Sequence, residues 1–170
     1  GMSIACLRFF TVYGQRQRPD LAIRKFVNLA LHNQEIPVYG DGRQVRDWIY
    51  VEDHCRGIDA VLQSGESGEV YNISASEERP NIEVIEGVLS MLGKPHSLIT
   101  FVGDRPAHDR RYGLNAGKIR QELGWHPICS FEEGLEKTVD WYLSHADWWK
   151  KVRGQDYLSY YQANYSNKFD

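Results

Sequence analysis

Cationic side chains crowd into one short stretch of this sequence. Residues 104–111 read DRPAHDRR and hold three arginines, a histidine and two aspartates around a proline. Pro106 restricts Arg105 to extended conformations, and a planar guanidinium donates two parallel hydrogen bonds to a phosphate. Arg46, between a glycine turn and an apolar segment, is a second such arginine. Two converging arginines predict a site for a diphosphate.

A plainer interpretation of the same stretch stays open on these residues alone. Arg105, Arg110 and Arg111 can instead pair with Asp104 and Asp109 on the protein surface. Exposed ion pairs of this kind are common and contribute little to stability.

Three further side chains have two interpretations each. His108 can donate to a phosphate or a ribose hydroxyl, or it can be a solvated loop histidine. Asn81 opens a predicted helix, so it is either a ligand-binding amide or an N-cap. Tyr39 lies beside the glycines at positions 40 and 42, where it can stack on a base or pack internally.

Length and composition predict one soluble domain. The chain has 170 residues, 42% of them hydrophobic, and a formal net charge of -3. The near-neutral charge argues against a nucleic-acid partner, and no apolar run approaches a membrane span. The opening Gly-Met is interpreted as a tag remnant. The three cysteines, Cys6, Cys55 and Cys129, lack metal-ligand spacing and are predicted to be buried thiols of a cytoplasmic protein.

Several chemistries lack their motifs. No Gly-x-Gly-x-x-Gly follows a predicted strand, and there is no Walker loop, zinc-ligand spacing or Gly-x-Ser-x-Gly elbow. Glu52 and Asp53 lie at a helix start, where acidic side chains favour the helix dipole. The residues alone therefore predict an α/β domain with a possible anion site.

Apolar patterning predicts strands interleaved with helices. Strands are expected within 3–14, 36–44, 46–51, 69–74 and 97–102. Five helices are expected. The first opens at Pro19-Asp20, the second runs from about 51 to Gly65, and the third runs from Asn81 to Gly93. The fourth is capped by Asn115 and ends at Gly124, and the fifth begins with a capping box of Ser130 and Glu133.

The helices are expected to bury apolar faces. The predicted inward residues are Leu21, Phe26, Val27 and Ala30 in the first helix, Cys55, Ile58, Val61 and Leu62 in the second, Ile85, Val88, Leu89 and Leu92 in the third, and Phe131, Leu135, Val139, Tyr142 and Ala146 in the last. The aromatic tail, 150–170, is expected to pack on the domain.

Four segments carry a resemblance to a known family. GDGRQVRDWIYVEDHCRGIDAV, GEVYNIS, DRPAHDRRYGLNAGKIRQELGW and FEEGLEKTVDWYL together resemble the C-terminal part of the dTDP-glucose 4,6-dehydratase family. Those enzymes are extended short-chain dehydrogenases/reductases that act on nucleotide sugars. The resemblance runs from about residue 4 into the tail, where DYLSYYQANY also fits.

The resemblance implies a fold and a set of site residues. The family joins a Rossmann-like NAD domain to a smaller C-terminal domain that holds the nucleotide sugar. This chain is then the substrate-binding part, with IACLRFF and EVYNI as remnant parallel strands of the Rossmann sheet. Arg46 and Arg105 correspond to residues that grip the diphosphate and neighbouring ribose, His108 and Asn81 line the same pocket, and Tyr39 lies beside the base and ribose.

The family's activity depends on NAD, which takes hydride from sugar C4 and returns it to C6 after water is lost across C5 and C6. A Tyr-x-x-x-Lys pair and an Asp-Glu pair serve these steps, and neither occurs in its family context here. The expectation is that the N-terminal NAD-binding half is absent. This chain alone then contains no catalytic residue, binds no NAD and is inactive.

Two departures from the family pattern keep other functions open. Thr11 stands where the dehydratase carries a substrate-contacting Asn, and Leu21 stands where it carries a Lys. LRFFTVYGQRQRPD is closer to epimerases acting on UDP-glucuronate. The alternatives are a fragment of a nucleotide-sugar 4-epimerase, a non-catalytic module that binds nucleotide sugars, and a structural remnant. The expected partner is a dTDP- or UDP-linked sugar, with self-association through an open sheet edge.

Overall fold

A computed structural model describes residues 1–148 of the chain. The segment 150–170, predicted to pack on the domain, lies outside the described residues. No helix in the described part is long and apolar enough to cross a membrane.

Strands and helices alternate along the chain, as the apolar pattern predicts. The strands are β1 (Cys6–Phe9), β2 (Val12–Tyr13), β3 (Ile36–Tyr39), β4 (Val45–Asp47), β5 (Ile49–Tyr50), β6 (Val70–Ile73), β7 (Glu78–Pro80) and β8 (Ile99–Val102). The helices are α1 (Ala22–Leu31), α2 (Val51–Ser64), α3 (Asn81–Met91), α4 (Gly117–Leu123) and α5 (Phe131–Ser144). A short 3-10 turn, His96–Leu98, precedes β8.

The strands form four two-stranded sheets. β1 pairs with β6 in parallel, from Cys6 opposite Val70 to Phe9 opposite Ile73, which confirms the predicted parallel pair. β2 with β5 and β3 with β8 are also parallel, whereas β4 with β7 is antiparallel. The single strands predicted over 3–14 and 46–51 are each divided, because their two halves pair with different partners.

Two apolar clusters hold these elements together. The larger joins α1, α3 and α5 to β3 through residues such as Ile23, Leu89 and Leu135, each at most 3% exposed. The smaller packs α2 and α4 on the β1–β6 pair around Tyr71, Ile73 and Ile119. Burying one such side chain stabilises the fold by about 1.5–3 kcal/mol. This packing holds the helices against the strands and thereby fixes the strand ends from which the loops leave.

The predicted buried face of α2 is wrong. Of the four residues expected to face inward, only Val61 is buried, and Leu62 is 83% exposed. The residues that α2 buries are Asp53, His54, Gly57 and Val61. A Cβ on Gly57 would lie 2.9 Å from Ile73 Cγ2, so glycine allows α2 to approach β6. Close backbone approach and polar contacts, which an apolar count ignores, decide the orientation of this helix.

The prediction that the three cysteines are buried thiols is wrong. Cys55 is on the outer face of α2 and is exposed. Cys6 is also exposed on β1, which pairs with β6 and with no other described strand. Cys129 is partly exposed.

The helix termini follow the predicted signals with two displacements. Ser130 and Glu133 form the reciprocal capping box of α5, and its predicted stripe is buried from Phe131 to Tyr142. The N-cap of α4 is Ala116, one residue after the predicted Asn115, although Asn115 Oδ1 accepts the backbone N–H of Gly117. α1 begins at Ala22, two residues later than predicted, and Leu21 occupies its N-cap position at 41% exposure rather than the interior.

Backbone hydrogen bonds place the cationic stretch beside β4. Val45 N donates to Arg110 O at 2.8 Å, and Tyr112 N donates to Val45 O at 3.0 Å. The loop after β8 is therefore held against β4 as an added parallel bridge. This pairing brings 104–111 next to Arg46, which is 60 or so positions earlier in the chain.

Candidate functional site

The six residues singled out from the sequence meet at one cavity of about 320 Å³. These residues come from separate parts of the fold. They are Thr11, Tyr39, Arg46, Asn81, Arg105 and His108. That volume lies at the lower end of the range for small-molecule sites. The structure thus brings together residues whose proximity the local sequence does not predict.

Arg46 is a fixed and nearly buried cation in the cavity wall. Its residue is 8% exposed. Nη1 donates to Val45 O at 2.7 Å, and Nη2 donates to Asp109 O at 3.0 Å and to His108 Nε2 at 3.1 Å. The guanidinium carbon lies 4.1 Å from the centroid of the Tyr112 ring. Burial lowers the pKa of Arg46, but an arginine pKa starts so high that the group stays charged.

Arg105 is held differently. Its side chain is exposed, and its guanidinium carbon lies 5.2 Å from the centroid of the Tyr39 ring. Within residues 1–148 it forms no ion pair with an acidic side chain. Among residues 1–148, Arg105 is therefore the arginine of the cationic stretch whose charge is available to a ligand.

The neighbouring arginines are paired, although not with the predicted partners. Arg110 donates to both carboxylate oxygens of Asp41, at 2.7 and 3.0 Å, and Arg111 donates to both of Glu78, at 2.6 and 2.5 Å. The bond from Arg110 lowers the pKa of Asp41 to about 2. These two arginines follow the surface-pair interpretation, whereas Arg105 does not.

The two aspartates of the stretch have other roles. Asp104 Oδ1 lies 2.6 Å from His108 Nδ1, and the His108 side chain is only 5% exposed. This hydrogen bond lowers the pKa of Asp104. Asp109 accepts a hydrogen bond from the Tyr112 hydroxyl. Both carboxylates therefore organise the loop.

Asn81, Thr11 and Leu21 also line the cavity. Asn81 is the first residue of α3, and the N-cap position is Pro80, so the capping interpretation of Asn81 is wrong. Thr11 lies in the break between β1 and β2. Leu21, at the start of α1, lines the same cavity. The two positions that depart from the family pattern are thus beside the predicted ligand.

Sequence reasoning missed several polar residues of the cavity wall, among them Asp20, Lys25, Gln44 and Tyr112. Lys25 and Gln44 are 6% and 2% exposed. Gln44 follows the glycine turn and Tyr112 follows the cationic stretch. Their positions next to predicted site segments could therefore have indicated that they line the cavity. Lys25 offers no such indication, because a lysine in a helix is ordinarily solvated.

The charges of the cavity suit an anionic ligand. Within the described residues 1–148, its lining contains the cations Arg46, Arg105 and Lys25 but a single carboxylate, that of Asp20. Asp20 is paired with Arg18. No group of three or more potential metal ligands occurs among residues 1–148. The arrangement can bind and orient an anion.

The strands of the β1–β6 sheet do not carry a dinucleotide cradle. β1 leads through Phe10 and Thr11 into β2, and β6 leads into β7. In a Rossmann cradle a glycine-rich turn joins a strand to a helix whose N-terminus faces the pyrophosphate. The described residues do not fit NAD in this way.

Comparison with known proteins decides the family. The family model for GDP-mannose 4,6 dehydratase matches residues 1–138. The chain belongs to this dehydratase family. Among curated relatives, the dTDP-glucose 4,6-dehydratase of Xanthomonas campestris is 45% identical over 154 residues, which cover 85% of this chain and 44% of the relative. The chain therefore spans about half the length of the relatives it matches.

Solved structures of a dehydratase and of an epimerase are also similar to this chain. A dTDP-glucose 4,6-dehydratase from Streptomyces venezuelae, with NAD bound, is 41% identical at a TM-score of 0.86 and covers 89% of this chain and 47% of its own. A UDP-glucuronic acid 4-epimerase from Bacillus cereus, in complex with UDP-glucuronic acid and NAD, is 32% identical at a TM-score of 0.79 and covers 84% of this chain and 46% of its own. The epimerase is the more distant of the two.

Proposed function

We propose that this chain is the nucleotide-sugar-binding part of a dTDP-glucose 4,6-dehydratase. The observation that carries the proposal is the difference between its clustered arginines. Arg110 and Arg111 are neutralised by carboxylates, whereas Arg46 and Arg105 line the cavity without an acidic ion-pair partner among residues 1–148. The similarity to dTDP-glucose 4,6-dehydratases supports the nature of the ligand.

Arg46 and Arg105 hold the diphosphate in this proposal. Arg46 is preorganised, because three protein acceptors and the Tyr112 ring fix its guanidinium before a ligand arrives. Arg105 closes on the phosphates from the exposed side of the cavity. Each charge-assisted hydrogen bond contributes about 1.5–3 kcal/mol, so the two arginines supply most of the affinity.

The remaining wall residues orient the nucleoside. Tyr39 lies under the Arg105 guanidinium and offers a ring beside the ribose and base. Asn81 and Thr11 have short polar side chains at the cavity, suited to ribose or sugar hydroxyls. His108 contacts Arg46 at the same wall.

The chemistry of the family requires residues beyond this chain. We infer that residues 1–170 form one substrate-binding domain, and that the exposed edge of β1 and the outer apolar face of α2 pack against the NAD-binding half of the family's fold. Isolated from that half, the chain lacks the Tyr-x-x-x-Lys pair and the glycine loop. It binds nucleotide without turning over a sugar.

A 4-epimerase fragment is the second candidate, because both departures from the dehydratase pattern lie at the cavity. Thr11 and Leu21 line it beside Asn81, where they contact the base or sugar rather than the diphosphate. This candidate predicts a preference for UDP over dTDP, whereas the dehydratase predicts the reverse.

Titration calorimetry on the purified chain tests the proposal. Because the sugar is oriented largely by residues outside this chain, dTDP and dTDP-glucose are expected to bind about equally, both more tightly than UDP, and NAD is expected not to bind. Affinity is expected to be weak, since ordering the exposed loop opposes binding. Tighter binding of UDP supports the epimerase instead. Retained NAD or turnover of dTDP-glucose contradicts the binding-only role of the chain.

A further inference from the structure

A chain of hydrogen bonds joins Asp104 to Arg46 through the imidazole of His108. Asp104 Oδ1 lies 2.6 Å from His108 Nδ1, and His108 Nε2 lies 3.1 Å from Arg46 Nη2. The imidazole is almost sealed from water, at 5% side-chain exposure. Both ring nitrogens are therefore engaged by protein groups.

The chemistry of the two partners assigns the tautomer of His108. A guanidinium has only donors, so the Nη2–H of Arg46 requires Nε2 of His108 to be an acceptor. The ring proton must then be on Nδ1, from which it is donated to the Asp104 carboxylate. A proton on Nε2 would instead point at the Nη2–H of Arg46, so that two hydrogen-bond donors would face each other. A neutral histidine in water favours the Nε2–H form, so the protein imposes the other tautomer.

Asp104 is itself held in place by donors alone. Its Oδ1 also accepts the backbone N–H of Arg105 at 2.8 Å, and its Oδ2 accepts Gln44 Nε2 at 3.0 Å. Gln44 is 2% exposed and lines the cavity. The carboxylate thus connects the rigid turn after β3 to the cationic stretch.

We propose that Asp104 is a positioning residue, which holds His108 in its Nδ1–H tautomer and thereby fixes the Arg46 guanidinium for the phosphates of the ligand. This inference rests on the proposed function, because it assumes that Arg46 contacts a nucleotide diphosphate. In this relay His108 acts through Arg46 rather than by donating to the ligand.

Simple electrostatics predicts the opposite sign for a change at Asp104, and this makes the inference testable. Removing a negative charge near an anion site strengthens anion binding when the charge has no other role. If Asp104 positions Arg46, its removal instead weakens binding, because the guanidinium loses its fixed orientation. The direction of the change in anion affinity therefore distinguishes a positioning role of Asp104 from a purely electrostatic one.

The experiment measures dTDP affinity of the full chain and three variants by calorimetry. Asp104→Ala is expected to weaken binding about tenfold. Asp104→Asn keeps a carbonyl acceptor for the Nδ1–H and is expected to restore affinity to within about threefold of the unaltered chain. Asp41→Ala is the matched control, since it removes an exposed carboxylate that does not line the cavity. It is expected to leave binding unchanged or slightly stronger. The amide spectrum of each variant verifies that it is folded.

A second measurement reports on the relay without a ligand. In a ¹⁵N-edited NMR spectrum of the His108 ring, protonated and unprotonated nitrogens have well-separated shifts. The unaltered chain and Asp104→Asn are expected to show Nδ1–H, and Asp104→Ala a shift toward Nε2–H. An Nε2–H ring in the unaltered chain overturns the inference, as does equal or tighter dTDP binding by Asp104→Ala. If the unaltered chain binds no dTDP at millimolar concentration, the proposed function fails, and the positioning role fails with it.

Discussion

Replacing Asp53 by alanine is expected to destabilise the fold more than the removal of any exposed acid. The Asp53 carboxylate is 2% exposed on α2. It accepts the backbone N–H groups of Ile128, at 3.1 Å to both oxygens, and Cys129, at 2.9 Å. It also accepts Arg56 Nη1 at 2.8 Å. Asp53 thereby fastens the segment before α5 to the start of α2.

The magnitude follows from the donors left behind. Alanine leaves two backbone N–H groups without their acceptor, each costing about 1–3 kcal/mol when buried. Arg56 is 44% exposed and regains water, so it adds little. Because Ile128 is 67% exposed, its N–H partly regains water. We therefore expect the free energy of unfolding to fall by about 2–4 kcal/mol, the lower part of the range for two such groups, measured by urea denaturation with the slope of the transition unchanged.

Asp59→Ala is the matched control on the same helix. Asp59 is exposed, and its carboxylate accepts a hydrogen bond from Gln63 at 2.7 Å. Its removal is expected to change stability by no more than about 0.5 kcal/mol. Equal losses for the two variants would refute the reasoning, because the buried contacts of Asp53 would then contribute no more than the exposed hydrogen bond of Asp59.

Two further predictions concern alkaline stability and association. Burial raises the pKa of Tyr142 to about 12, so stability that is fully present below pH 10 is expected to be lost between about pH 10 and 12. A urea midpoint that falls no more steeply for the unaltered chain than for Tyr142→Phe would contradict this. β1 pairs with β6 and with no other described strand, so its open edge is expected to give concentration-dependent sedimentation; a strictly monomeric profile at every concentration would count against that role.

Local signals predicted the elements of this fold well, because their causes lie within a few residues. The capping box of Ser130 and Glu133 involves positions three apart, and two apolar runs predict β1 and β6 as separate strands. The parallel pairing of these two strands was implied by the family resemblance. The prediction of the buried face of α2 was wrong because the orientation of this helix depends on the hydrogen bond between Asp53 and Ile128 and on the close approach of Gly57 to β6. Such contacts between distant positions leave no periodic trace.

The candidate site shows the same division. Residue types alone suggested an anion site at the cationic stretch, which stays a prediction. They did not indicate which arginines are paired with carboxylates. Arg110 reaches Asp41 across 69 positions and Arg111 reaches Glu78 across 33. The meeting of Arg46 with His108 depends on the pairing of β4 with the loop after β8. Only the family resemblance joined these residues before the structure did.

The affinity of two single-arginine variants for dTDP tests the central claim most directly. Arg105 lines the cavity without an acidic ion-pair partner among residues 1–148, whereas Arg111 is tied to Glu78 and is not part of the lining. Arg105→Ala is expected to weaken dTDP binding about tenfold or more, the factor that corresponds to about 1.4 kcal/mol, and Arg111→Ala less than about twofold. Equal losses in the two variants, or no binding by the unaltered chain at millimolar dTDP, would contradict the assignment of the cavity to a nucleotide diphosphate.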